Sequence, residues 1–332
     1  MIIRLVILIA LAALGLLLNI CVGDVRIDPL LALQSVFAPH SLPESCSTSL
    51  DIIWQIRLPR LLTAATVGAA LAVSGYLLQS LSRNYLADPY LTGVSSGAGL
   101  TVALGLTFGL SFSMVPLAAF AGGLVASIVV ALLSRNPTGL SMTRMLLSGV
   151  ALSTICSGLI TLIITNGGNP VQSQGIFFWL AGGIGGRTWD ELIPAATYTV
   201  VGCLVALVLS KQIRLLSLGT QQARSLGVNV ELVQMLLLAV AVLMCGAAVS
   251  VSGLVGFVGL MAPHLSRRLY GRDERVHLIC AALLGIALVE MSDLAARSMV
   301  PGQELPLGTL LSLIGGPFFL WLVSRQKGEE LA

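Results

Sequence analysis

The sequence predicts an all-α fold: a polytopic transmembrane helical bundle of about ten spans that contains an inverted internal repeat. Of the 332 residues, 56% are hydrophobic and only 10% are charged, whereas soluble domains average about 25% charged residues. Apolar stretches of about 20 residues, the length that crosses a bilayer, recur along the chain, and the mean hydropathy is +0.95. A water-soluble globular protein is therefore excluded.

Ten apolar segments are candidate spans, of which the third and the eighth are short. They lie near residues 3–22, 58–80, 93–108, 113–134, 143–166, 190–209, 231–251, 254–269, 275–297 and 306–324. The first segment has Arg4 as a charged flank, as a signal peptide would, but its apolar run is long and no convincing cleavage site follows. We expect a retained helix, and we treat residues 1–332 as a single transmembrane domain.

Ten spans place both termini on the same side of the membrane. With the N terminus inside, thirteen of the eighteen Lys and Arg residues lie in cytoplasmic segments and five lie outside. Because cytoplasmic loops are enriched in Lys and Arg, both termini are predicted to be cytoplasmic.

Two segments rich in small residues indicate the repeat. GAALAVSG at residues 68–75 matches GAAVSVSG at residues 246–253. The first lies on the second predicted span, which runs inward, and the other lies on the seventh, which runs outward. Related segments of opposite orientation are typical of inverted-topology transporter repeats. The alternative is that both helices need small residues for close packing.

The sequence has no motif that would bind ATP or a metal ion. Lys211 and Lys327 are its only lysines, and neither ends a Gly-x-x-x-x-Gly-Lys phosphate-binding loop. The six cysteines form neither a disulfide framework nor a paired metal-ligand pattern. We expect no catalytic residue, metal ligand or cofactor in this chain, so any energy from ATP must come from another subunit.

One segment matches a hydrolase motif by letter. Residues 93–97 read GVSSG, which fits Gly-x-Ser-x-Gly, and His264 lies near a membrane boundary. A nucleophile elbow needs a strand–turn–helix context. These residues instead open an apolar helix, where Gly and Ser commonly serve as caps and packing residues. An intramembrane serine protease that uses Ser95 or Ser96 is therefore an alternative that the context disfavours.

Two acidic residues lie in the ninth span, where charge is costly and suggests function. Asp293 and Arg297 are four residues apart and share a helix face, so we expect them to pair near the outer boundary. Glu290 has no basic partner in its own helix. The alternative is that Glu290 and Asp293 are the proton or ion sites of a secondary transporter.

The longest inside loop, about residues 210–230, has leucines at helical spacing with breaks at Gly219 and Gly227. This pattern predicts two short amphipathic helices at the membrane surface. They fit either a position on the lipid headgroups or a docking element for a cytoplasmic partner.

Three arginines are predicted to be exposed at outer helix ends. Arg57 and Arg60 flank Pro59 at the start of the second span, and Arg297 closes the ninth. They fit either interfacial anchors or receptors for the carboxylates of a soluble partner.

Six short pieces in this order carry a family resemblance. They are RLPRL at 57–61, NYLADP at 84–89, LTGVSSGA at 91–98, GLVGFVGL at 253–260 continuing to Pro263 and His264, Asp293 with Arg297, and ELPLG at 304–308. At these residues the sequence resembles the FecCD-type permeases of bacterial ABC importers, over nearly the whole chain. Tyr85 stands where this family often has proline, and Gln221 and Gln222 stand where acidic residues are common.

The resemblance implies a ten-helix permease that pairs with a second permease subunit, identical or related, around a central pathway. It also implies two cytoplasmic ATPase subunits that bind ATP and Mg²⁺, a periplasmic or lipid-anchored binding protein, and a place in the bacterial inner membrane. No nucleic acid is implied. Iron–siderophore is the most common cargo of this family, with cobalamin and haem next. An importer of a metal chelate is thus the leading hypothesis, with a secondary transporter as the alternative.

The resemblance implies roles for individual residues as well. The binding protein's glutamates would be received by Arg57, Arg60 and Arg297. The coupling helices that fit a groove on the ATPase would include Leu218, Gly219, Ala223, Arg224, Leu226 and Gly227. The cytoplasmic gate would consist of Asn84, Leu86, Met142 and Thr143.

Overall fold

The computed structural model describes residues 2–23, 27–37, 47–136, 139–167, 169–269, 273–300 and 302–329. Its helices, in chain order, are α1 (Ile2–Cys21), α2 (Pro29–Phe37), α3 (Ser47–Asp51), α4 (Leu58–Ser82), α5 (Val94–Thr107), α6 (Val115–Leu133), α7 (Met142–Asn166), α8 (Pro170–Ala181), α9 (Trp189–Val208), α10 (Ser210–Ser217), α11 (Thr220–Ser225), α12 (Val230–Ser252), α13 (Val258–Leu269), α14 (Glu274–Ser298) and α15 (Leu307–Glu329). A π-helical stretch, Ile52–Arg57, joins α3 to α4, and 3₁₀ turns at Pro89–Thr92 and Phe112–Met114 precede α5 and α6. Strands β1 (Arg135–Asn136) and β2 (Gly139–Leu140) pair antiparallel.

The predicted fold class is confirmed. Among the described residues, six helical segments are long and apolar enough to cross a membrane: Ser47–Ser82, Phe112–Leu133, Met142–Asn166, Trp189–Val208, Val230–Ser252 and Glu274–Ser298. Shorter apolar helices are Leu8–Cys21, Val94–Thr107 and Leu307–Leu322. Each of the ten predicted spans overlaps one helix, and the remaining helices are short connecting elements.

The eighth span begins later than the sequence suggests. Its helix, α13, starts at Val258 and has 12 residues, a rise of about 18 Å, which is less than the thickness of a hydrocarbon core of about 30 Å. Gly253, at φ 65°, ends α12, and Phe257 has φ 68°. A Cβ at Gly253 would lie 2.2 Å from the Trp179 carbonyl oxygen, so only glycine fits where the chain turns.

Polar side chains at the helix starts explain several boundaries. A side-chain oxygen that accepts a hydrogen bond from a backbone N–H of the first turn caps a helix. The caps are Ser141 on α7, Asn169 on α8, Asn229 on α12 and Asp273 on α14.

Helix α4 lies at the centre of the bundle and packs on its neighbours through glycines. A Cβ at Gly68 would lie 2.3 Å from the Gly285 carbonyl oxygen on α14, and one at Gly75 would lie 2.0 Å from the Gly259 carbonyl oxygen on α13. The Ser74 hydroxyl donates to the Ala241 carbonyl on α12 at 2.7 Å. The small residues of this segment thus allow the close helix contact that the packing alternative requires.

The two ends of the bundle carry different groups. At one end, here called the α10 end, Arg275 at the start of α14 donates to the Ser210 hydroxyl at the start of α10 at 3.3 Å. The other, here called the Arg60 end, carries the start of α4 and the end of α14. Since α4 ends and α12 begins at the α10 end, segments 68–75 and 246–253 run in opposite directions, as the repeat requires. Their second glycines differ in role, because Gly75 is a mid-helix contact and Gly253 ends its helix.

Candidate functional site

Arg60 and Asp293 form the centre of a charged cluster at the Arg60 end. Arg60 donates from Nε and Nη2 to the Asp293 carboxylate at 2.9–3.2 Å. Arg297, one turn further along α14, lies 3.8 Å from the same carboxylate. The Asp293–Arg297 pair expected from helical spacing is therefore present. The closer partner, Arg60, comes from α4 and is invisible to spacing within one helix.

Glu304 binds the other edge of the Arg60 guanidinium. Nη1 donates to Oε1 at 2.7 Å and Nη2 donates to Oε2 at 3.1 Å, the bidentate geometry that arginine and carboxylate favour. This hydrogen bonding lowers the pKa of Glu304 below its usual value. The Glu304 side chain is 55% exposed and that of Asp293 is 3% exposed. One arginine thus connects a buried acid to an acid that faces the surroundings.

Arg57 and Arg297 are held by the end of α1. Arg57 donates to the Ile20 carbonyl, and Arg297 donates to the Asn19 carbonyl at 2.8 Å and to its side-chain oxygen at 2.6 Å. The prediction that the three arginines are exposed is wrong, because Arg57 is buried and the side chains of Arg60 and Arg297 are 13% and 11% exposed.

The cluster nevertheless opens onto a cavity. A recess of about 320 Å³ at the Arg60 end is lined by all three arginines together with Gly23, Ile52, Ile56, Gly302, Gln303 and Glu304. The basic groups therefore remain reachable at the floor of a depression, where a carboxylate from outside would meet several of them at once.

Glu290 differs from its neighbour Asp293 in having no partner group. It is fully buried, and neither carboxylate oxygen has a hydrogen-bond partner among the described residues. Helix α1 covers it, since a Cβ at Gly15 would lie 3.0 Å from Oε2. Asn19 donates to the Glu290 backbone carbonyl at 3.1 Å, which ties the two helices together. In the described part of the chain, no hydrogen-bonded chain of acids passes through this position, because neither oxygen of Glu290 has a partner.

The predicted pair of short helices between α9 and α12 is confirmed as α10 and α11. Gly219 and Gly227 have φ values of 126° and 82°, so the breaks occur at the two glycines that the sequence marks. Ala223 is fully buried, whereas Leu218 and Leu226 on either side of α11 are 56% and 60% exposed. Two leucines thus project from an anchored element.

Arg224 is the charged member of this segment. It donates to Glu231 on α12 at 3.3 Å, with both side chains about half exposed. Exposed pairs of this kind contribute about 0–1 kcal/mol, so Arg224 can exchange its partner at little cost.

The four predicted gate residues lie in two segments that are in contact with each other. Asn84 accepts a hydrogen bond from the Leu86 backbone N–H at 2.9 Å and so closes a tight turn after α4. Met142 and Thr143 begin α7, with Met142 packed on the core and Thr143 exposed. The segments meet where Gly149 of α7 packs on Leu91, because a Cβ at Gly149 would lie 1.9 Å from the Leu91 carbonyl oxygen.

The connection that carries Asn84 and Leu86 is fixed by two further side chains. Asp88 accepts a hydrogen bond from the Tyr90 backbone N–H at 2.8 Å, and burial raises the pKa of Asp88 to about 6. The Tyr90 hydroxyl donates to the Val255 carbonyl at 2.8 Å and accepts from the Val255 N–H at 2.9 Å. The connection before α5 is thereby joined to the connection before α13.

The serine motif is structural. The Ser96 hydroxyl donates to the Gly93 carbonyl at 3.0 Å and accepts from Ser153 at 3.2 Å. His264 packs against the Phe318 ring, with the ring centroids 6.3 Å apart. The hydroxyl is thus engaged by groups that have no role in nucleophilic catalysis, and the imidazole is engaged elsewhere.

Sequence reasoning did not identify the roles of Glu304, Asn19 and Arg267. Glu304 lies in one of the family-like pieces, but nothing in its spacing indicates Arg60 as its partner. Asn19 stands out as a polar residue within an apolar span, and that signal could have found it. Arg267 gives no signal in the sequence beyond its positive charge.

A bundle of membrane-length helices with a recess of arginines at one end and paired short helices at the other has the architecture of a transport permease. The model of the family described as "FecCD transport family" matches residues 10–325 of this chain. The chain is 42% identical over 292 residues to the hemin transport system permease protein HmuU of Yersinia pestis, which covers 84% of this chain and 86% of that one. It is 37% identical to the iron(3+)-hydroxamate import system permease protein FhuB of Bacillus subtilis, covering 96% and 82%.

A solved structure described as an inward-facing conformation of a metal-chelate type ABC transporter superposes with a TM-score of 0.86 at 30% identity, covering 98% of this chain and all of that one. The chain belongs to the FecCD transport family. It is therefore a multi-pass permease subunit of an ABC importer and not an enzyme, since ATP is hydrolysed in a separate ATPase subunit.

Proposed function

We propose that this permease carries a metal chelate into the cytoplasm, of the iron–siderophore, cobalamin or haem kind. The names of its relatives support this class, because they include hemin, cobalamin and iron(3+)-hydroxamate permeases. The observation that carries the proposal within the molecule is the character of α7. Only 11% of its most apolar stretch is buried, although it carries a row of hydroxyl groups.

These hydroxyls suit the wall of a passage. Thr154, Thr161 and Thr165 are exposed and spaced to share one face, and each donates to a backbone carbonyl of its own helix at 2.8–3.0 Å. A wall that satisfies its own polar groups binds an amphipathic cargo weakly and does not trap it. We propose that this face borders the pathway between this chain and a second permease subunit, identical or related.

We propose that the α10 end faces the cytoplasm. Arg83, Arg135, Arg144, Arg214 and Arg275 all lie at the ends of elements on this side, as the excess of basic residues in cytoplasmic loops requires. Both termini would then be cytoplasmic, in a bacterial inner membrane. Leu218 and Leu226 would insert into a groove on one ATPase subunit, and the second permease subunit would contact the other. The two ATPase subunits would hold the ATP and Mg²⁺; we propose no cofactor for this chain itself.

The Arg60 end would receive a periplasmic or lipid-anchored binding protein. We propose that glutamates of that protein enter the recess lined by Arg57, Arg60 and Arg297. Since Glu304 already binds Arg60, an incoming carboxylate would share or replace that contact. The cytoplasmic gate would comprise the turn at Asn84 and Leu86 with Met142 and Thr143 at the start of α7. Movement of the coupling helices would shift the population between outward-open and inward-open states.

The test is a mild-detergent purification of the tagged chain, with native mass spectrometry of its partners and then ATP-dependent uptake in proteoliposomes. Two permease chains with two ATPase subunits, and uptake of a ferric siderophore, haem or cobalamin, are expected. A chain that transports a chelate with no ATPase present would overturn the proposal in favour of a secondary carrier.

A further inference from the structure

The guanidinium of Arg267 lies between two tyrosine rings at the α10 end. Its central carbon is 4.4 Å from the ring centroid of Tyr76 and 4.9 Å from that of Tyr85. Tyr76 belongs to α4 and is fully buried, whereas Tyr85 belongs to the turn after α4 and is 56% exposed. A cation within about 6 Å of an aromatic face is attracted by the ring quadrupole, so Arg267 links the exposed ring to the buried one.

Arg267 is held in this position from α4. It donates from Nη1 to the Gln79 side-chain oxygen and from Nη2 to the Ser80 hydroxyl at 3.5 Å. Gln79 in turn donates to the Gly259 carbonyl of α13 at 3.2 Å. The arginine that ends α13 is therefore fixed to the last turns of α4, and its remaining open face is covered by Tyr85.

The nearby acid does not take Arg267 away from the rings. Glu274, at the start of α14, accepts a hydrogen bond from the Tyr76 hydroxyl at 2.6 Å. Among the described residues, no carboxylate oxygen lies within 4 Å of the Arg267 nitrogens. The charge of Arg267 is thus satisfied by an amide, a hydroxyl and two aromatic faces, which leaves its attraction to Tyr85 uncompensated by an ion pair.

Tyr85 stands between the two proposed gate residues Asn84 and Leu86. Proline, common at this position in similar permeases, would rigidify the turn by fixing φ. Tyrosine leaves φ unrestricted. Its stacked ring adds a tertiary constraint to the hydrogen bond by which Asn84 closes the turn, because moving Asn84 and Leu86 away from the bundle would pull Tyr85 off Arg267.

We propose that Arg267 is a positioning residue for the cytoplasmic gate: it clamps the turn of residues 84–86, through Tyr85, to the unit formed by α4 and α13. This inference rests on the proposed gate. With this clamp in place, the gate turn opens only when Tyr85 leaves Arg267 or when α13 moves together with the turn. The clamp needs an aromatic ring at position 85.

The experiment measures how readily the turn detaches. Leu86→Cys provides the labelling site, and Cys46 is replaced by serine. The cysteines among the described residues are buried or half-buried and are retained. The chain is placed in nanodiscs. The labelling rate by a charged maleimide is recorded for five further variants. We expect Tyr85→Leu to raise the rate about tenfold, and Tyr85→Phe, which keeps the ring, to stay within about twofold of the parent.

Arg267→Gln should raise the rate as Tyr85→Leu does, and the double variant should raise it no further, because both remove the same contact. Arg268→Gln is the matched control, since this neighbouring arginine lies 5.9 Å from Trp321 instead, and it should leave the rate unchanged. Equal rates for Tyr85→Leu and the parent would overturn the clamp. Because Tyr85 is exposed, we expect Tyr85→Leu to fold, and its labelling rate tests the clamp even if Arg267→Gln does not fold.

The labelling needs neither ATPase nor cargo, so it separates this inference from the proposed function. A clamp seen by labelling in a chain that imports no chelate would leave the contact intact and remove the proposed function. Normal uptake with unaltered labelling would do the reverse.

Discussion

The Tyr90 hydroxyl bridges both backbone groups of Val255, donating to its carbonyl at 2.8 Å and accepting from its N–H at 2.9 Å. Tyr90 lies in the 3₁₀ turn that precedes α5, and Val255 lies in the non-helical connection that precedes α13. Non-helical backbone inside a membrane protein is tolerated only where its polar groups are satisfied by protein or water. The Tyr90 hydroxyl thus satisfies both backbone polar groups of Val255, which lies outside any helix.

Replacing Tyr90 with Phe should therefore destabilise the fold. Both backbone groups of Val255 lose their partner, and an unsatisfied buried polar group costs about 1–3 kcal/mol. Thermal unfolding in detergent should show a lower midpoint than the parent. Tyr198→Phe is the control, because its half-exposed ring stacks on Phe120. Equal midpoints for the Tyr90 and Tyr198 variants would contradict the role of the bridge.

Asp88 should make stability depend on pH between about 4 and 6. Burial raises its pKa in the folded chain to about 6, above the ordinary value of 3.8, so the folded chain binds the proton more tightly and stability falls as pH rises through this window. Asp88→Asn keeps an acceptor for the Tyr90 N–H and removes the titration. The unfolding midpoint of the variant should be the same at pH 4.5 and at pH 6.5, whereas the midpoint of the parent should be lower at pH 6.5. A slope unaltered by Asp88→Asn would show that other groups titrate.

The Arg60–Asp293 pair should be more important for folding than its place at a helix end suggests. Arg60→Gln leaves the carboxylate of Asp293, buried at 3% exposure, without its nearest cation. Breaking a buried ion pair in this way costs about 3–5 kcal/mol. The double variant with Asp293→Asn should recover part of the loss, as measured by thermal unfolding. Arg187→Gln, which breaks a second pair at the same end, is the comparison, and an equal effect from it would refute the prediction.

Leu218 and Leu226 should affect coupling without affecting the fold. Both are exposed and Ala223 beneath them is buried, so Leu218→Ser with Leu226→Ser leaves the core intact. In co-purification with the ATPase, we expect at least a tenfold weaker association, since burial of each exposed leucine in a groove can contribute about 1.5–3 kcal/mol. The midpoint of thermal unfolding should be unchanged. Retained association would exclude these leucines from the interface.

Glu290→Gln should leave both stability and transport close to those of the parent. The carboxylate oxygens have no hydrogen-bond partner among the described residues, and the ionised form of such a group is costly, so a neutral side chain of the same shape suits the site. Uptake in proteoliposomes and thermal unfolding are the measurements. Loss of uptake with an unchanged midpoint would point instead to proton transfer through Glu290.

Much of this molecule follows from local pattern. Apolar stretches predict the ten spans because a helix must satisfy its own backbone in lipid, and the two short spans were visible as short runs. Gly219 and Gly227 predict the breaks around α11 because only glycine adopts those φ values at no cost. The Asp293–Arg297 pair follows from a spacing of four residues in one helix.

What the sequence by itself determined is thus the ten span helices, most of their ends and the neighbours along each helix, since these depend on residues a few positions apart. It did not determine the start of α13 or the connecting helices α2, α3 and α8. Only the tertiary structure decided which distant groups meet. It brought Arg60 to Asp293 and Glu304, and it placed Arg267 between Tyr76 and Tyr85. It also placed the end of α1 over Arg57 and Arg297, which the sequence predicts to be exposed. Such contacts depend on how α1, α4, α13 and α14 pack, and close helix packing through glycines such as Gly68 and Gly75 is a property of pairs of helices that no single segment encodes.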